Sequence, residues 1–191
     1  MFRIGIIGAG WIAHKMTLAL GYTDEACVYA IASRSEDKAR SFAEEHGIPM
    51  AYGSYEAMLD DTEVDLVYIA TPHSHHFAHA MLALEHGKPV LVEKAFTANA
   101  KEAKILIDSA RNKGLFITEA IWTRYMPLSH KIREIMDSGI IGEPRIITAT
   151  LCYMMEHKER IVKPELCGGA LLDIGVYVIN FARMYFGTDI V

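Results

Sequence analysis

The sequence predicts an α/β protein, a doubly wound parallel sheet followed by an incomplete α+β second domain. Three observations predict it. Short β-rich apolar runs alternate with amphipathic stretches as far as about residue 120, the amphipathic stretches carry helix starts and stops, and beyond Pro127 both patterns give way to a different texture. The runs fall at 2–7, at 27–32, weakly around Met50 and Tyr52, at 66–71, at 90–93 and at 115–119. Between them, Ser35 can cap a helix with Glu36 and Asp37 in its first turn and a stop at Gly47. Asn99, with Glu102 three residues on, opens another that stops at Gly114. Past Pro127 the pattern predicts a helix over 128–137, a turn at Gly139, Gly142 and Pro144, a long strand over 145–155 and a last helix over 169–186. The domains are then 1–121 and 122–191. One strand with two helices cannot bury a sheet face, so the chain reads as cut short inside its second domain.

Composition narrows the class. The 191 residues are 51% hydrophobic and 23% charged, with 19 basic against 24 acidic side chains and a net charge of -5, the profile of a soluble globular protein. Without a Lys/Arg block there is no electrostatic footprint for nucleic acid or an anionic membrane. Cys27, Cys152 and Cys167 are odd in number and far apart, so neither a disulfide framework nor a thiolate zinc site is written here, and a reducing cytoplasm is the expected compartment. The start, Arg3 followed by apolar residues to Ala13, has a signal-peptide flavour, but glycines at 5, 8 and 10 punctuate it. No apolar run approaches the roughly 18–20 residues of a membrane span.

Those glycines carry the first functional signal. Gly8-Ala9-Gly10-Trp11-Ile12-Ala13 follows the first strand and opens a helix. Gly8 permits the tight turn, Gly10 lets the backbone approach a pyrophosphate, and Ala13 lets helix and strand pack closely. The N–H groups at Trp11 and Ile12 start the helix that faces the anion. The strand–turn–helix context makes this the fingerprint of a Rossmann dinucleotide-binding domain. At the end of the second strand the chain reads Ala32-Ser33-Arg34-Ser35, with no carboxylate before Glu36. An acid there would hold the ribose hydroxyl of NAD. An arginine, with Lys38 a turn later, suits the 2′-phosphate of NADP, although a surface Arg at a helix start can also be merely solvated.

Past the fourth strand runs Thr71-Pro72-His73-Ser74-His75-His76-Phe77-Ala78-His79. His75 and His79 are spaced to share a helix face, but no carboxylate or cysteine nearby completes a metal site, so no metal is expected. Thr71 and His76, at the carboxyl edge of the sheet, read instead as cofactor or substrate neighbours. Glu93-Lys94 ends the buried run Val90-Leu91-Val92, placing Lys94 where open α/β sheets bind ligands. In the last helix Asp173, Tyr177 and Asn180 share one face beside the stripe Leu172, Val176 and Ile179, as a cleft wall or as a satisfied polar seam.

Gly8 to Ala13, Glu93-Lys94-Ala95, and Gly168-Gly169-Ala170-Leu171-Leu172-Asp173-Ile174-Gly175-Val176-Tyr177 together resemble the Gfo/Idh/MocA oxidoreductases. Glu119-Ala120-Ile121-Trp122-Thr123-Arg124 and the tyrosine helix resemble the branch of dimeric dihydrodiol dehydrogenase, which also oxidises D-xylose with NADP. The resemblance implies hydride transfer between NADP, with NAD as the alternative, and a carbinol of a sugar or cyclic diol. It implies Tyr177 as general acid/base, Lys94 stabilising charge on the reacting oxygen, and Asp173 positioning that pair or the substrate. Glu93 and Lys94 flank the cofactor, with Trp122 and Arg124 at its nicotinamide end. A second domain on a large open sheet and a homodimer follow from the same likeness. The chain departs from the family in having Ala95 where proline is usual, and Tyr177 and Asn180 where many members have histidine and aspartate. The family also holds a transcriptional regulator without turnover, so a nucleotide sensor is the competing class.

Overall fold

The computed structural model describes residues 1–155 and 158–188 and divides into two compact units, Met1–Ala120 and Ile121–Val191. In the first unit six strands form one sheet: β1 (Phe2–Ile7), β2 (Ala26–Ala32), β3 (Met50–Tyr52), β4 (Leu66–Ile69), β5 (Val90–Val92) and β6 (Ile117–Glu119). Their order is β3-β2-β1-β4-β5-β6, and every neighbouring pair is parallel. A parallel neighbour cannot be reached by a tight hairpin. The amphipathic stretches supply the crossovers as α1 (Trp11–Leu20), α2 (Glu36–His46), α3 (Tyr55–Leu59), α4 (His76–Glu85) and α5 (Ala100–Lys113). The order reverses between β1 and β4, which creates the crevice at the strand ends where such sheets bind ligands.

Two cores cover the two faces. Ile4 and Ile6 of β1 pack with Ala13 of α1 and with Phe42 and Ala43 of α2. Ile7 packs with Met58 and Leu59 of α3, Ala80 and Leu84 of α4, and Leu106 of α5. Alternate side chains of a strand point to opposite faces, so apolar residues are needed at successive positions when both faces are covered. The caps agree with the sequence. Ser35 Oγ accepts from Lys38 N at 3.3 Å, Asn99 Oδ1 accepts from Glu102 N at 3.0 Å, and Gly47 and Gly114 close their helices in left-handed conformation. Each such N-cap contributes about 1 kcal/mol.

The second unit holds a single-turn 3₁₀ segment at Trp122–Tyr125, α6 (Pro127–Asp137), the short α7 (Glu159–Val162), a π-helical turn at Leu171–Gly175 and α8 (Val176–Phe186). Tyr185 Oη donates to Ser129 O at 3.2 Å and Arg133 lies over the Tyr185 ring, joining α8 to α6. Two sequence expectations change here. The strand predicted over 145–155 is absent, and that segment is irregular; a strand needs a ladder partner, and among the described residues the second unit offers none. The stretch Pro164–Phe186 is long and apolar enough, by length and composition alone, to cross a membrane, with a mean hydropathy of 1.4 over its best window. It is not an unbroken apolar run, since Glu165, Asp173, Asn180 and Arg183 interrupt it.

Candidate functional site

In the first unit the site grows from the turn after β1. Gly8 has φ of +105°, and a Cβ there would lie 3.0 Å from Ala70 O and from Thr71 Cγ2, so glycine is required both by conformation and by the close pass of the chain after β4. Gly10 differs. Its backbone is extended, with φ of -117°, and a Cβ would meet nothing within 4 Å. Nothing in the fold itself asks for glycine at this position, whereas a ligand lying on the backbone would. The adjoining helix start agrees: α2, α3 and α5 have their first amides capped by Ser35, Ser54 and Asn99, while α1, like α4, has no side-chain cap and no acid in its first turn, and of these two α1 is the one that opens from the glycine turn. A helix start left in this state is suited to a phosphate.

At the end of β2, Ser33 is buried, its N–H donating to Tyr52 O at 3.1 Å. The Arg34 side chain is exposed. Arg34 and Lys38 make no hydrogen bond or ion pair through their side chains among the described residues, although the Arg34 charge is felt by Tyr55 and His79. These residues fit a dinucleotide, with an open backbone for the pyrophosphate, and place uncommitted cations at the neighbouring strand end.

Beyond β4 and β5 the polar groups brace the chain. His76 is fully buried, its ring nitrogens 2.8 Å from Thr71 O and 2.7 Å from Ala95 O. Burial pushes its pKa down. A neutral imidazole has one N–H, so His76 donates to one of these carbonyls and packs against the other; fully buried between two strand ends, it presents no surface for the direct cofactor contact expected of it. Thr71 Oγ1 meets His79 Nδ1 at 3.0 Å, and burial lowers the His79 pKa to about 4. His75 and His79 have ring centroids 5.5 Å apart, but no third histidine, cysteine or carboxylate joins them among the described residues.

Glu93 is also buried and its carboxylate is committed. One oxygen accepts from Tyr68 Oη and the other from Lys94 N at 3.1 Å. Burial raises its pKa, against the pull of the Tyr68 and Lys94 donors and the Lys94 charge. Glu119 Oε1 accepts from Phe96 N at 2.8 Å, so carboxylates hold the backbone on both sides of Lys94, which is half-buried. The Lys94–Ala95 peptide is cis.

In the second unit the polar residues of the last helix find partners in the 3₁₀ segment. Trp122 Nε1 donates to Tyr177 Oη at 3.0 Å, with the rings edge to face at 6.1 Å. Arg124 Nε donates to Asn180 Oδ1 at 2.7 Å. Asp173 lies elsewhere: it is 3% exposed and accepts from Arg160 Nη1 at 2.6 Å. The π-helical turn at Leu171–Gly175 breaks the 3.6-residue register on which a single Asp173, Tyr177 and Asn180 face depended. Arg160 and Tyr68 are the partners that sequence reasoning missed. Nothing in local spacing marks them, since they lie 13 residues from Asp173 and 25 from Glu93.

Comparison with known proteins adds to this geometry. Residues 2–120 match the model of the oxidoreductase family with an NAD-binding Rossmann fold, and residues 129–191 match the GFO/IDH/MocA C-terminal domain. Human trans-1,2-dihydrobenzene-1,2-diol dehydrogenase is 41% identical over 187 residues, 97% of this chain and 56% of the relative. The mouse protein of the same name is 40% identical over 189 residues, 98% of this chain and 57% of the relative. The chain thus spans little more than half the length of these relatives. Among solved structures, a variant of a 3-ketoreductase from Actinomadura kijaniata, in complex with TDP-benzene and NADP, superposes with a TM-score of 0.85 at 33% identity, covering 98% of this chain and 58% of that one. An NAD-binding oxidoreductase from Klebsiella pneumoniae gives 0.79 at 27% identity, covering 97% and 53%.

Proposed function

Since the chain belongs to the Gfo/Idh/MocA oxidoreductase family, we propose that it is part of an NADP-dependent enzyme acting on a carbinol of a sugar or cyclic diol, D-xylose and trans-dihydrodiols being the substrates to try first. The observation that carries the cofactor choice is the pairing of an uncapped α1 and open Gly10 with the exposed, uncommitted guanidinium of Arg34. Gly8, Gly10, Trp11 and Ile12 would hold the pyrophosphate, and Ser33, Arg34 and Lys38 the ribose and its 2′-phosphate. When bound, the nicotinamide supplies or receives the hydride. Tyr177 exchanges the hydroxyl proton, its oxygen oriented by Trp122. Lys94, with its backbone fixed by Glu93, stabilises negative charge on the reacting oxygen. Asp173, tied to Arg160, acts as a positioning group. Large apolar side chains stand exposed in the second unit, Ile146 and Met154 among them, which supports a homodimer built on this domain.

The test is to extend this chain to the length of its relatives and follow nicotinamide absorbance with NADP and NAD across D-xylose, other aldoses, inositols and trans-dihydrodiols. Turnover with NADP is expected. Tight NADPH binding with no turnover on any of them would replace the enzyme with a nucleotide sensor, and a preference for NAD would remove the assignment of Arg34.

A further inference from the structure

We propose that His14, Glu45 and His46 form a binding site for a divalent transition-metal ion, bridging α1 and α2 of the first unit. His14 lies one turn into α1, its N–H bonded to Gly10 O at 3.1 Å. His46 is the last residue of α2, followed by Gly47 in left-handed conformation. Packing of the two helices brings His14 Nδ1 within 3.1 Å of His46 Nε2. Glu45 Oε1 lies 3.8 Å from the same His46 nitrogen, and one ligand atom from each of the three residues falls within 4.8 Å of the others.

These spacings suit a shared ion. With metal–ligand bonds of about 2.0–2.1 Å at tetrahedral angles, neighbouring donor atoms lie roughly 3.3 Å apart. The two imidazole nitrogens already stand at about that separation, and Glu45, whose side chain is 66% exposed, has a carboxylate oxygen 3.8 Å from His46 Nε2. The rest of the site is held in place. The His46 side chain is 7% exposed, with its ring centroid 4.5 Å from that of Phe42, so the nitrogen most central to the cluster sits on a fixed ring. A cation here also meets the negative end of the α2 dipole, since His46 closes that helix. Two imidazoles and one carboxylate are the donors preferred by zinc and accepted by nickel, cobalt and copper(II), and three protein ligands leave one position for water. The competing account of the pair is a plain hydrogen bond between two histidines across a helix packing contact. In that case Glu45 contributes nothing and no ion is taken up.

The site is independent of the proposed catalytic function. It does, however, lie on the two helices that follow the glycine turn and Arg34, so an ion would clamp together the elements that approach the nucleotide.

Equilibrium dialysis of the chain against zinc, with cobalt absorption as a coordination probe and thermal unfolding as a second readout, tests the proposal. One zinc per chain and a rise in the unfolding midpoint with zinc concentration are expected. His14→Gln and His46→Gln should each weaken binding by at least about tenfold, and His79→Gln should leave it unchanged. Glu45→Gln tests the third ligand at an exposed position where folding is not at stake, and should also weaken binding. Circular dichroism confirms that each variant is folded. No zinc uptake by the folded chain, uptake that survives both histidine substitutions, or uptake indifferent to Glu45→Gln would each overturn the three-ligand site.

Discussion

The two units of this chain treat their side chains in opposite ways. In the first, Ile6, Ile7, Ile31, Val67, Ile69 and Val90 have no exposed surface, and the polar groups at the strand ends are turned inward to brace the backbone, as His76 and Glu93 do. In the second, Ile146 is 86% exposed and Met154 82%, and the polar residues Trp122, Tyr177, Arg124 and Asn180 pair with one another along a seam. The difference teaches where each kind of order comes from. A parallel sheet with helices on both faces closes its own core within one stretch of chain. Among the described residues the second unit forms helices and no sheet, leaves apolar surface standing, and is organised by a few specific side-chain pairs.

The sharpest contrast is expected in turnover. With the chain extended to the length of its relatives, Tyr177→Phe should lower kcat by about 10²- to 10⁴-fold, the usual contribution of a positioned acid/base, while the dissociation constant for NADPH, measured by fluorescence titration, should stay nearly unchanged because the residues proposed to hold the nucleotide's phosphates are left intact. Near-normal turnover would take Tyr177 out of the reaction. Next in size is stability. Leu84 is fully buried, and Leu84→Ala should cost about 2–5 kcal/mol in denaturant unfolding. Ile146→Ala, at a position in solvent in the single chain, should change the unfolding of the monomer by no more than about 0.5 kcal/mol. Equal losses would mean that the second unit has a core of its own.

Arg34→Ala sharpens the account of the first unit. It should weaken NADPH by about 10- to 100-fold, the scale of lost hydrogen bonds to a charged group, and leave NADH nearly unaffected. Equal effects on the two cofactors would sink the 2′-phosphate role. A further effect is a pH dependence. Burial holds the His79 pKa at about 4, below its ordinary 6.5. A depressed pKa gives stability that is fully present above 6.5 and is lost as pH falls through about 4, because the unfolded chain takes up the proton first. Glu93, raised by burial, works in the opposite sense and offsets part of the loss. Removing the titrating group by His79→Gln should flatten the decline between pH 6.5 and 4 in a series of unfolding curves; an unchanged slope would show that His79 does not set it.

The legible part of the site is the local part. The Gly8 to Ala13 turn, the caps at Ser35 and Asn99, and the arginine at the end of β2 are each written within a few residues, and the two caps act on backbone within the same few residues. His76 marks the edge of this legibility. Its position at the sheet's carboxyl edge could be read, but its burial between Thr71 O and Ala95 O depends on β4 and β5 being neighbours. The face shared by Asp173, Tyr177 and Asn180 was predicted from a regular 3.6-residue period, which the π-helical turn at Leu171–Gly175 does not keep. The strand expected over 145–155 had the right composition and no partner.

By itself, then, the sequence determined the alternation that makes a parallel sheet, the glycine turn and its helix, the helix boundaries fixed by side-chain caps, and the family likeness those motifs carry. All of these are set by contacts between residues close together in the chain, where spacing is geometry. Only the tertiary structure decided that Trp122 donates to Tyr177, that Arg160 takes Asp173, that Tyr68 holds Glu93, and that His14 meets His46 across 32 residues. Those pairings depend on how elements pack after they form, and the number of ways a distant partner could be chosen far exceeds what a local pattern can specify.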